Sequence, residues 1–283
     1  MPDPIQLFDP ETIRLNGMRR KPDSLFLLNE IADRVLDRLT DINRTFEKVA
    51  VIGFVPQPFR DAFPNLDAVP FNEESGDQEE LLPGQIGFSN PPYDLILSVT
   101  GLHRVNDPVG ALIQANRALK PDGLFLAALF AGDTLQELRR SLLVAETELS
   151  GRAAQRILPF GDVRDLGGLL QRADFALPVA DLDHIDIEYR QFAKLLQDVR
   201  HMGEASCLAA RPKTFAPKNL FAKAAEIYAR DYQTADGTLK ATFEIAYLSG
   251  WHPHESQQQP LKPGSGKVSM AEVLGKNAPK NPD

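Results

Sequence analysis

The chain has 283 residues, of which 43% are hydrophobic and 25% are charged, as expected for an ordinary globular protein with one large or two small domains. Its formal net charge of −8 argues against a nucleic-acid-binding surface as the main function. The single cysteine, Cys207, excludes an internal disulfide framework and a cysteine-based zinc cluster.

The N-terminal sequence "MPDPIQLFDP" has neither a basic region nor a long apolar core. It is therefore predicted to be neither a secretory signal nor a transit peptide. The longest apolar runs, such as "LFLAALF", are too short to span a bilayer. These features favour a cytoplasmic protein without a transmembrane segment. Residues 1–22 carry scattered charge and are predicted to form an irregular arm.

The next segments alternate between helical and strand patterns. In "PDSLFLLNEIADRVLDRL", Leu28, Ile31, Val35 and Leu39 recur at helical spacing, and the apolar strand "KVAVIGF" follows. Residues 55–92 are rich in proline and contain the acidic run "NEESGDQEE". Such a run is typical of a solvated loop.

From Tyr93 the pattern becomes regular. The apolar strand "YDLILSV" precedes the helix "NDPVGALIQANRAL", for which Asp107 is a suitable N-cap, and a second apolar strand, "LFLAALF", follows. Thr134 and Glu137 have the spacing of a capping box for the next helix. Strands that are apolar throughout indicate a parallel sheet covered by helices on both faces.

The last third of the chain adds the helix "DVRDLGGLLQRADF", the strand "ALPVADLDHIDIEY" and a final strand, "TFEIAYLSGW". Residues 190–235 between these strands are predicted to form a helical insertion or lid. Residues 256–283 are polar and lack periodicity, which favours a flexible tail. One main domain is therefore predicted over residues 23–255.

The segment "YDLILSVTGLHRVNDPVGALIQANRALKPDGLFLAALF" resembles the second half of class I S-adenosylmethionine-dependent methyltransferases. The segments "LFAGDTLQELRRSLLVAETE", "PFGDVRDLGGLLQRADF", "LLQDVRHMGEAS" and "GWHPHESQ" resemble the branch that contains a mitochondrial complex I assembly factor with this fold. Malonyl-acyl-carrier-protein methyltransferase of biotin synthesis is a more distant likeness. The resemblance implies an α/β, Rossmann-like sheet of seven strands, mostly parallel, with an antiparallel last strand.

The resemblance also implies a glycine-rich cofactor turn after the first strand, and the sequence departs from it there. The chain has "VIGFVPQPF", in which Gly53 matches one of the family's glycines. Pro56 and Pro58 remove two backbone donors. Gly53 and Asp94 are only 41 positions apart. Because one strand–helix–strand unit takes about 30 residues or more, the early half of the sheet is predicted to be shortened.

The resemblance implies S-adenosylmethionine as the cofactor, although the altered turn argues for loss or a changed binding mode. In the family an acidic residue after the second strand holds the ribose. Glu73 or Glu74 would take that position, and a solvated loop is the alternative. The cofactor-binding candidates are Gly53, Phe54, Ser98, Val99 and Glu73.

Ligands of open α/β sheets bind beyond the carboxyl ends of the strands, and His103 is the leading catalytic candidate there. It would act as a base or position a substrate. The alternative is a histidine hydrogen-bonded behind the following helix cap. The substrate or lid candidates are Phe130, Gly132, Asp133, Met202, Gly203, Glu204 and Trp251.

Three of these candidates have structural alternatives. Asp133 would favour a helix N-terminus electrostatically, and Gly203 would end a helix. Trp251 would anchor the last strand on the core.

The segment "GWHPHES" brings His252, His254 and Glu255 close together in sequence. Two histidines two positions apart lie on one face of an extended chain, and with a carboxylate they form part of one type of iron site. Pro253 and the missing third ligand favour a strand-end turn with solvated histidines. No metal is therefore expected.

Three hypotheses of function follow. The first is a methyltransferase-like protein with a degraded cofactor turn that acts in assembly of respiratory complex I. The second is a non-catalytic assembly or binding protein, a pseudoenzyme, on the same fold. The third is a protein arginine hydroxylase, as the resembling branch implies. The expected partner is a protein substrate or a respiratory-complex subunit.

Overall fold

The structure is a computed structural model and describes residues 6–71, 86–151, 154–213, 216 and 219–258. The strands are β1 (Val49–Ile52), β2 (Asp67–Val69), β3 (Tyr93–Val99), β4 (Leu119–Phe130), β5 (Ala176–Tyr189) and β6 (Leu239–Trp251). The helices are α1 (Pro10–Met18), α2 (Phe26–Thr40), α3 (Gln57–Ala62), α4 (Pro108–Ala118), α5 (Gln136–Ser150), α6 (Val163–Arg172), α7 (Phe192–His201) and α8 (Leu220–Tyr232).

The strands form one sheet in the order β2-β1-β3-β4-β6-β5. The pairs β1–β2, β1–β3 and β3–β4 are parallel, whereas β6 runs antiparallel to both β4 and β5. This arrangement confirms the predicted α/β, Rossmann-like sheet with an antiparallel last strand. The described residues supply six of the seven strands that the resemblance implied.

The early half of the sheet is short, as predicted. Among the described residues between β1 and β3, the chain forms only the six-residue helix α3 and the three-residue strand β2. The acidic run Asn72–Glu80 lies outside the described residues.

Apolar side chains on both faces of the strands explain why helices cover both sides of the sheet. Val51 and Leu97 pack into a core with residues of α2, α5, α7 and α8, whereas Ile52 and Ile96 pack into a second core with residues of α4 and α6. Successive strand residues therefore point to opposite, equally buried layers.

The prediction of an irregular arm over residues 1–22 is wrong where helix α1 forms. Pro10 occupies its first turn, and the Asp9 side chain caps it by accepting from Thr12 N at 3.3 Å. The helix docks on a segment far away in sequence: Asn16 Nδ2 donates to Ala205 O at 2.7 Å. Such distant contacts leave no periodic apolar pattern in the arm itself.

The predicted capping box before α5 is also wrong. Thr134 Oγ1 donates to the carbonyl of Glu244 at 2.9 Å, and Glu137 accepts from Thr242 Oγ1 at 2.6 Å. Both side chains bind β6, so neither is available to cap the helix. The helix begins at Gln136 without a side-chain cap.

Residues up to Pro253 form one compact unit, and His254–Asp283 form a second. The described part of the second unit is a short turn in which Gln257 N donates to His254 O at 3.2 Å. The predicted tail, 256–283, lies largely outside the described residues. No helix in the described part of the chain is both long and apolar enough to cross a membrane.

Candidate functional site

The turn after β1 lies where the sequence resemblance implied a cofactor. Gly53 has a φ of 81°, a conformation that favours glycine, and its N–H donates to Val69 O at 2.8 Å. That amide is therefore bound to the sheet. The guanidinium of Arg20, which follows helix α1, lies 4.6 Å from the ring centroid of Phe54. The N-terminal arm thus covers the turn.

A phenylalanine fills the crevice between the ends of β2 and β3. Phe71 is buried, and a Cβ added to Gly101 would lie 2.7 Å from its Cε2 atom. Gly101 also has a φ of 93°, so both close approach and conformation require glycine there. Glu73 and Glu74, the candidate ribose acids, lie outside the described residues.

The two cofactor candidates on β3 have structural roles. Ser98 is fully buried and its Oγ donates to Ile52 O at 3.2 Å, which ties β3 to β1. The side chain of Val99 belongs to the core beneath α2. Neither side chain points to a free surface of the crevice.

Thr100, which sequence reasoning did not single out, is held in a strained conformation at the end of β3. Its φ is 60°, and its buried Oγ1 has no hydrogen-bond partner among the described residues. A β-branched residue in the left-handed region costs about 1–3 kcal/mol and such strain clusters at functional sites. No sequence pattern marks this conformation.

The residues around the turn after β1 cannot hold S-adenosylmethionine in the way that the resemblance implied. Pro56 and Pro58 offer no amide donors, and α3 is only six residues long. Phe54 is covered by Arg20, and Phe71 closes the neighbouring crevice. No chemical step through that cofactor is therefore assigned to these residues.

A buried charge cluster joins the end of β3 to the loop after α7. His103 Nε2 lies 3.0 Å from Glu204 Oε2, and Arg104 Nη2 lies 3.5 Å from Glu204 Oε1. Arg104 Nη1 also donates to Gly203 O at 2.9 Å. The side chains of His103, Arg104 and Glu204 are only 2%, 1% and 6% exposed. Two residues predicted separately, His103 and Glu204, are thus brought together.

The electrostatics of the cluster keep Glu204 ionised. Burial by itself raises the pKa of the carboxyl group, but the charge of Arg104 and the hydrogen bond with His103 lower the pKa more strongly, to about 2. This cluster of His103, Arg104 and Glu204, here called the clasp, links the sheet to the loop after α7, and His103 Nε2 faces Glu204 in it. Its buried ring lies edge-on to Phe130, with 5.5 Å between the ring centroids.

The loop after α7 begins with a glycine that confirms the predicted helix stop. Gly203 has a φ of 85°, and a Cβ there would lie 3.0 Å from Arg20 Nε and 3.1 Å from Asn16 O. Met202 is buried, and its carbonyl accepts from Arg20 Nε at 3.3 Å. The arm and the predicted lid segment are therefore packed tightly together.

A cavity of about 620 Å³ lies beside this clasp, beneath α5, α7 and α8. Phe130 and Phe160 form part of its wall, and their ring centroids are 6.2 Å apart. Glu204 reaches the cavity from the clasp. This volume lies within the range of small-molecule sites.

The remaining substrate candidates lie at different places. Gly132, at the end of β4, is half-buried and its N–H donates to Gly161 O at 3.2 Å, while Asp133 is exposed. Trp251 pairs with Leu124, six residues before Phe130 along β4, so it lies away from the carboxyl edge where Phe130 is found. Because β6 is antiparallel, its carboxyl end is directed away from the crevice. Trp251 packs against the core, which is its anchoring alternative.

The histidines of "GWHPHES" form hydrogen bonds of their own. His252 Nδ1 lies 2.6 Å from Asn116 Oδ1, and His254 Nδ1 lies 2.7 Å from Ser256 Oγ. Across the described ranges, no group of three or more histidine, cysteine, aspartate or glutamate side chains is placed to hold a metal ion. Glu255 is exposed.

Sequence reasoning missed Arg20, Arg104, Phe71 and Phe160. Buried arginines carry no periodic signal, because the patterns that predict burial depend on apolar residues. The one available signal for Arg104 was its position next to His103.

Residues 17–178 match a family described as "Methyltransferase domain", which covers more than half of the chain. The chain belongs to this methyltransferase-domain family. It is also 36% identical over 267 residues to a Danio rerio protein named "Arginine-hydroxylase NDUFAF5, mitochondrial", with 88% of this chain and 82% of that protein covered. The Homo sapiens protein of the same name is 36% identical over 300 residues, with 97% and 85% covered.

A second group of relatives is more distant. The malonyl-[acyl-carrier protein] O-methyltransferase of Laribacter hongkongensis is 29% identical over 180 residues, with 64% of this chain and 58% of that protein covered. The chain is therefore more similar to the relatives named arginine hydroxylases, at 36% identity, than to this second group, at 29%. This confirms the branch that the resemblance indicated.

Proposed function

We propose that this member of the methyltransferase-domain family modifies arginine side chains of a protein by hydroxylation. The observation that carries the proposal is the 36% identity to arginine hydroxylases over most of both chains. The turn after β1 supports it indirectly, because its residues do not fit the cofactor of methyl transfer.

Within this proposal, the clasp holds the loop after α7 against the carboxyl edge of the sheet. Glu204 is ionised and engaged by His103 and Arg104, so we regard His103 as a positioning residue. Hydroxylation inserts one oxygen atom into a carbon–hydrogen bond and needs an oxidant. No step of that oxidation is assigned to a described residue.

Mass spectrometry of arginine-containing peptides tests the proposal. Respiratory-complex subunits would be isolated from cells with the gene, without it, and with the gene restored. We expect an arginine that carries one additional oxygen atom only when the gene is present. Arginine-containing peptides with the same masses in all three strains would contradict the proposal.

Two restored strains sharpen the test. A strain with Glu204→Gln should lose most of the modification, because the clasp that holds the loop is weakened. A strain with Glu226→Gln makes the same chemical change at an exposed position of α8 and should modify arginine normally. An equal loss of arginine modification in both strains would show that Glu204 has no specific role in it.

Methyl transfer from S-adenosylmethionine is the second candidate function, because the family match and the positive φ of Gly53 favour it. In the same mass spectra, methyl transfer would appear as a peptide whose mass has increased by one CH2 group. Calorimetric titration of the purified protein with S-adenosylmethionine tests it directly. Absence of heat at millimolar cofactor would contradict methyl transfer without affecting the hydroxylase proposal.

The partner and the compartment are also proposals. A respiratory complex I subunit is the proposed protein substrate, and a pull-down that recovers no such subunit would contradict it. A non-catalytic assembly role would appear as recovery of the subunit without any arginine change. We propose the cytoplasm as the compartment, whereas the names of the relatives include the word mitochondrial. Fractionation of cells that express the tagged chain decides between them.

A further inference from the structure

The cavity beneath α5, α7 and α8 has a chemical character of its own. Most of its wall is aliphatic or aromatic, with side chains from three helices and from β4 and β6. The apolar residues that define its floor and sides are Leu135, Leu138, Leu142, Leu196, Phe130 and Phe243. Such a wall favours a ligand with a long apolar body.

The polar groups of the cavity gather around the carboxyl end of α7. Arg200 and His201 lie in the last turn of that helix, and Glu204 and Ser206 follow it. At the other end of the same helix face, Ala193 and Leu196 line the cavity. A ligand would therefore have one polar head and an apolar remainder.

The charge of this polar end is positive. Glu204 is neutralised by Arg104, and Arg156 is paired with Glu146 at 2.7 Å. Arg200 is exposed and forms no ion pair in the described part of the chain. Burial and the charges of Lys21 and Arg200 lower the pKa of His201, as expected in a positive environment.

This electrostatic character disfavours a guanidinium group in the cavity. An arginine substrate would bring another positive charge toward Arg200, and Glu204, the carboxylate among the lining residues, already faces Arg104 at 3.5 Å. A carboxylate would instead meet the exposed guanidinium of Arg200. An anionic head would therefore pair with a cation that forms no ion pair in the described part of the chain.

We propose that this cavity binds a long-chain carboxylic acid, with its chain between α5 and α7 and its carboxylate at Arg200. The site is separate from the arginine substrate of the proposed function and does not depend on it. The apolar wall accounts for the chain, and the Arg200 guanidinium at the polar end accounts for the acid group.

Fluorescence of a dansyl-labelled fatty acid, titrated into the full-length protein, tests the site. Palmitate is expected to displace the probe, and hexadecanol, which has the same chain length without the charge, is expected to compete about ten-fold more weakly. Equal competition by the alcohol would overturn the assignment of an anion. Failure of the probe to bind would overturn the site itself.

Two exposed arginines, Arg200 and Arg172, provide a matched pair of charge variants. Arg200→Glu should weaken palmitate about ten-fold, because it replaces the attracting charge by a repelling one. Arg172→Glu makes the same change on α6, where Arg172 is exposed and outside the cavity, and should bind palmitate normally. Equal weakening in both variants would show a general charge effect and overturn the role of Arg200.

A steric pair completes the test. Ala193→Trp places an indole at the exposed rim of the cavity and should reduce probe binding at least about ten-fold. Gln171→Trp adds the same side chain to the exposed surface of α6 and should have no effect. Thermal unfolding of each variant checks that it is folded. A folded Ala193→Trp variant that binds the probe normally would place the ligand elsewhere.

Discussion

The two halves of the carboxyl edge of the sheet differ in the space that they offer. In the early half, β1 and β2 have four and three residues, and Arg20 and Phe71 close the crevice around the turn. In the later half, β4 and β6 have 12 and 13 residues, and a cavity of about 620 Å³ remains open beside them. The carboxyl edge therefore leaves little room at the turn where the sequence resemblance implied a cofactor, and more room beside β4 and β6.

The difference shows that a family resemblance transfers unevenly along one chain. The family match spans residues 17–178 and therefore includes the short early half of the sheet as well as β3 and β4. The glycine pattern that the resemblance implied is nevertheless missing at Gly53–Pro58, where Arg20 of the arm lies over Phe54. Substitutions in the clasp and in the arm should therefore show how much each contributes to stability and to ligand binding.

The largest effect is expected from Arg104→Ala. It would leave Glu204 buried without its main counter-charge and Gly203 O without its donor, which we expect to cost about 3–5 kcal/mol of unfolding free energy. Urea unfolding measures this loss. Arg117→Ala, at an exposed position of α4, is the matched control and should change stability by less than about 0.5 kcal/mol. A loss below about 1 kcal/mol for Arg104→Ala would contradict the clasp.

Glu204→Gln should have the next largest effect, and its size should depend on pH. Because the pKa of Glu204 is lowered to about 2 from 4.5, its ionisation contributes at most about 3 kcal/mol to stability above pH 5. This contribution is lost as the pH falls from about 4.5 through 2, so wild type and variant should converge in acid. Unfolding at several pH values, with Glu226→Gln as control, checks the trend. A difference that is independent of pH would contradict the assigned charge state.

Gly203→Ala and Gly151→Ala separate two kinds of glycine. Both residues have positive φ, at 85° and 65°, but only Gly203 is in close contact, with Arg20 Nε and Asn16 O. We expect about 1 kcal/mol of destabilisation at Gly151 and about 2 kcal/mol at Gly203. Thermal unfolding of both variants measures the difference. Equal losses of stability in the two variants would indicate that Arg20 and Asn16 do not pack closely against Gly203.

The smallest effect is expected from Arg20→Met, which keeps the apolar stem but removes the charge above Phe54. Loss of the cation–π contact and of the weak hydrogen bond from Arg20 Nε to Met202 O should together cost about 1 kcal/mol. The informative readout is calorimetry with S-adenosylmethionine: heat in the variant, and none in wild type, would show that the arm alone blocks the turn. Arg19→Met, next to it in sequence and exposed, is the control.

The sequence predicted the elements that depend on local patterns and left the site unpredicted where contacts are distant. Strand β3 and the "LFLAALF" part of β4 were evident because these runs are largely apolar. The clasp was not, because 101 positions separate His103 from Glu204. The φ of Thr100 and the placement of Phe71 depend on neighbouring strands, and no local propensity encodes either of them. Trp251 was predicted at the carboxyl edge of the parallel strands, but it ends an antiparallel strand. The end of β6 therefore lies away from that edge.

The docking of helix α1 has a consequence for the synthesis of the chain. Arg211 Nη1 donates to Asp9 Oδ2 at 2.8 Å across 202 positions, and Asn16 reaches Ala205 across 189. At about 5–20 residues per second, the ribosome adds the partner segment roughly 10–40 s after the arm. Until then Phe8 and Ile13 lack Cys207 and Leu208, two of the buried residues of the cluster to which they belong. Settling of the arm is therefore expected to be among the last folding events, after the sheet that it covers has formed.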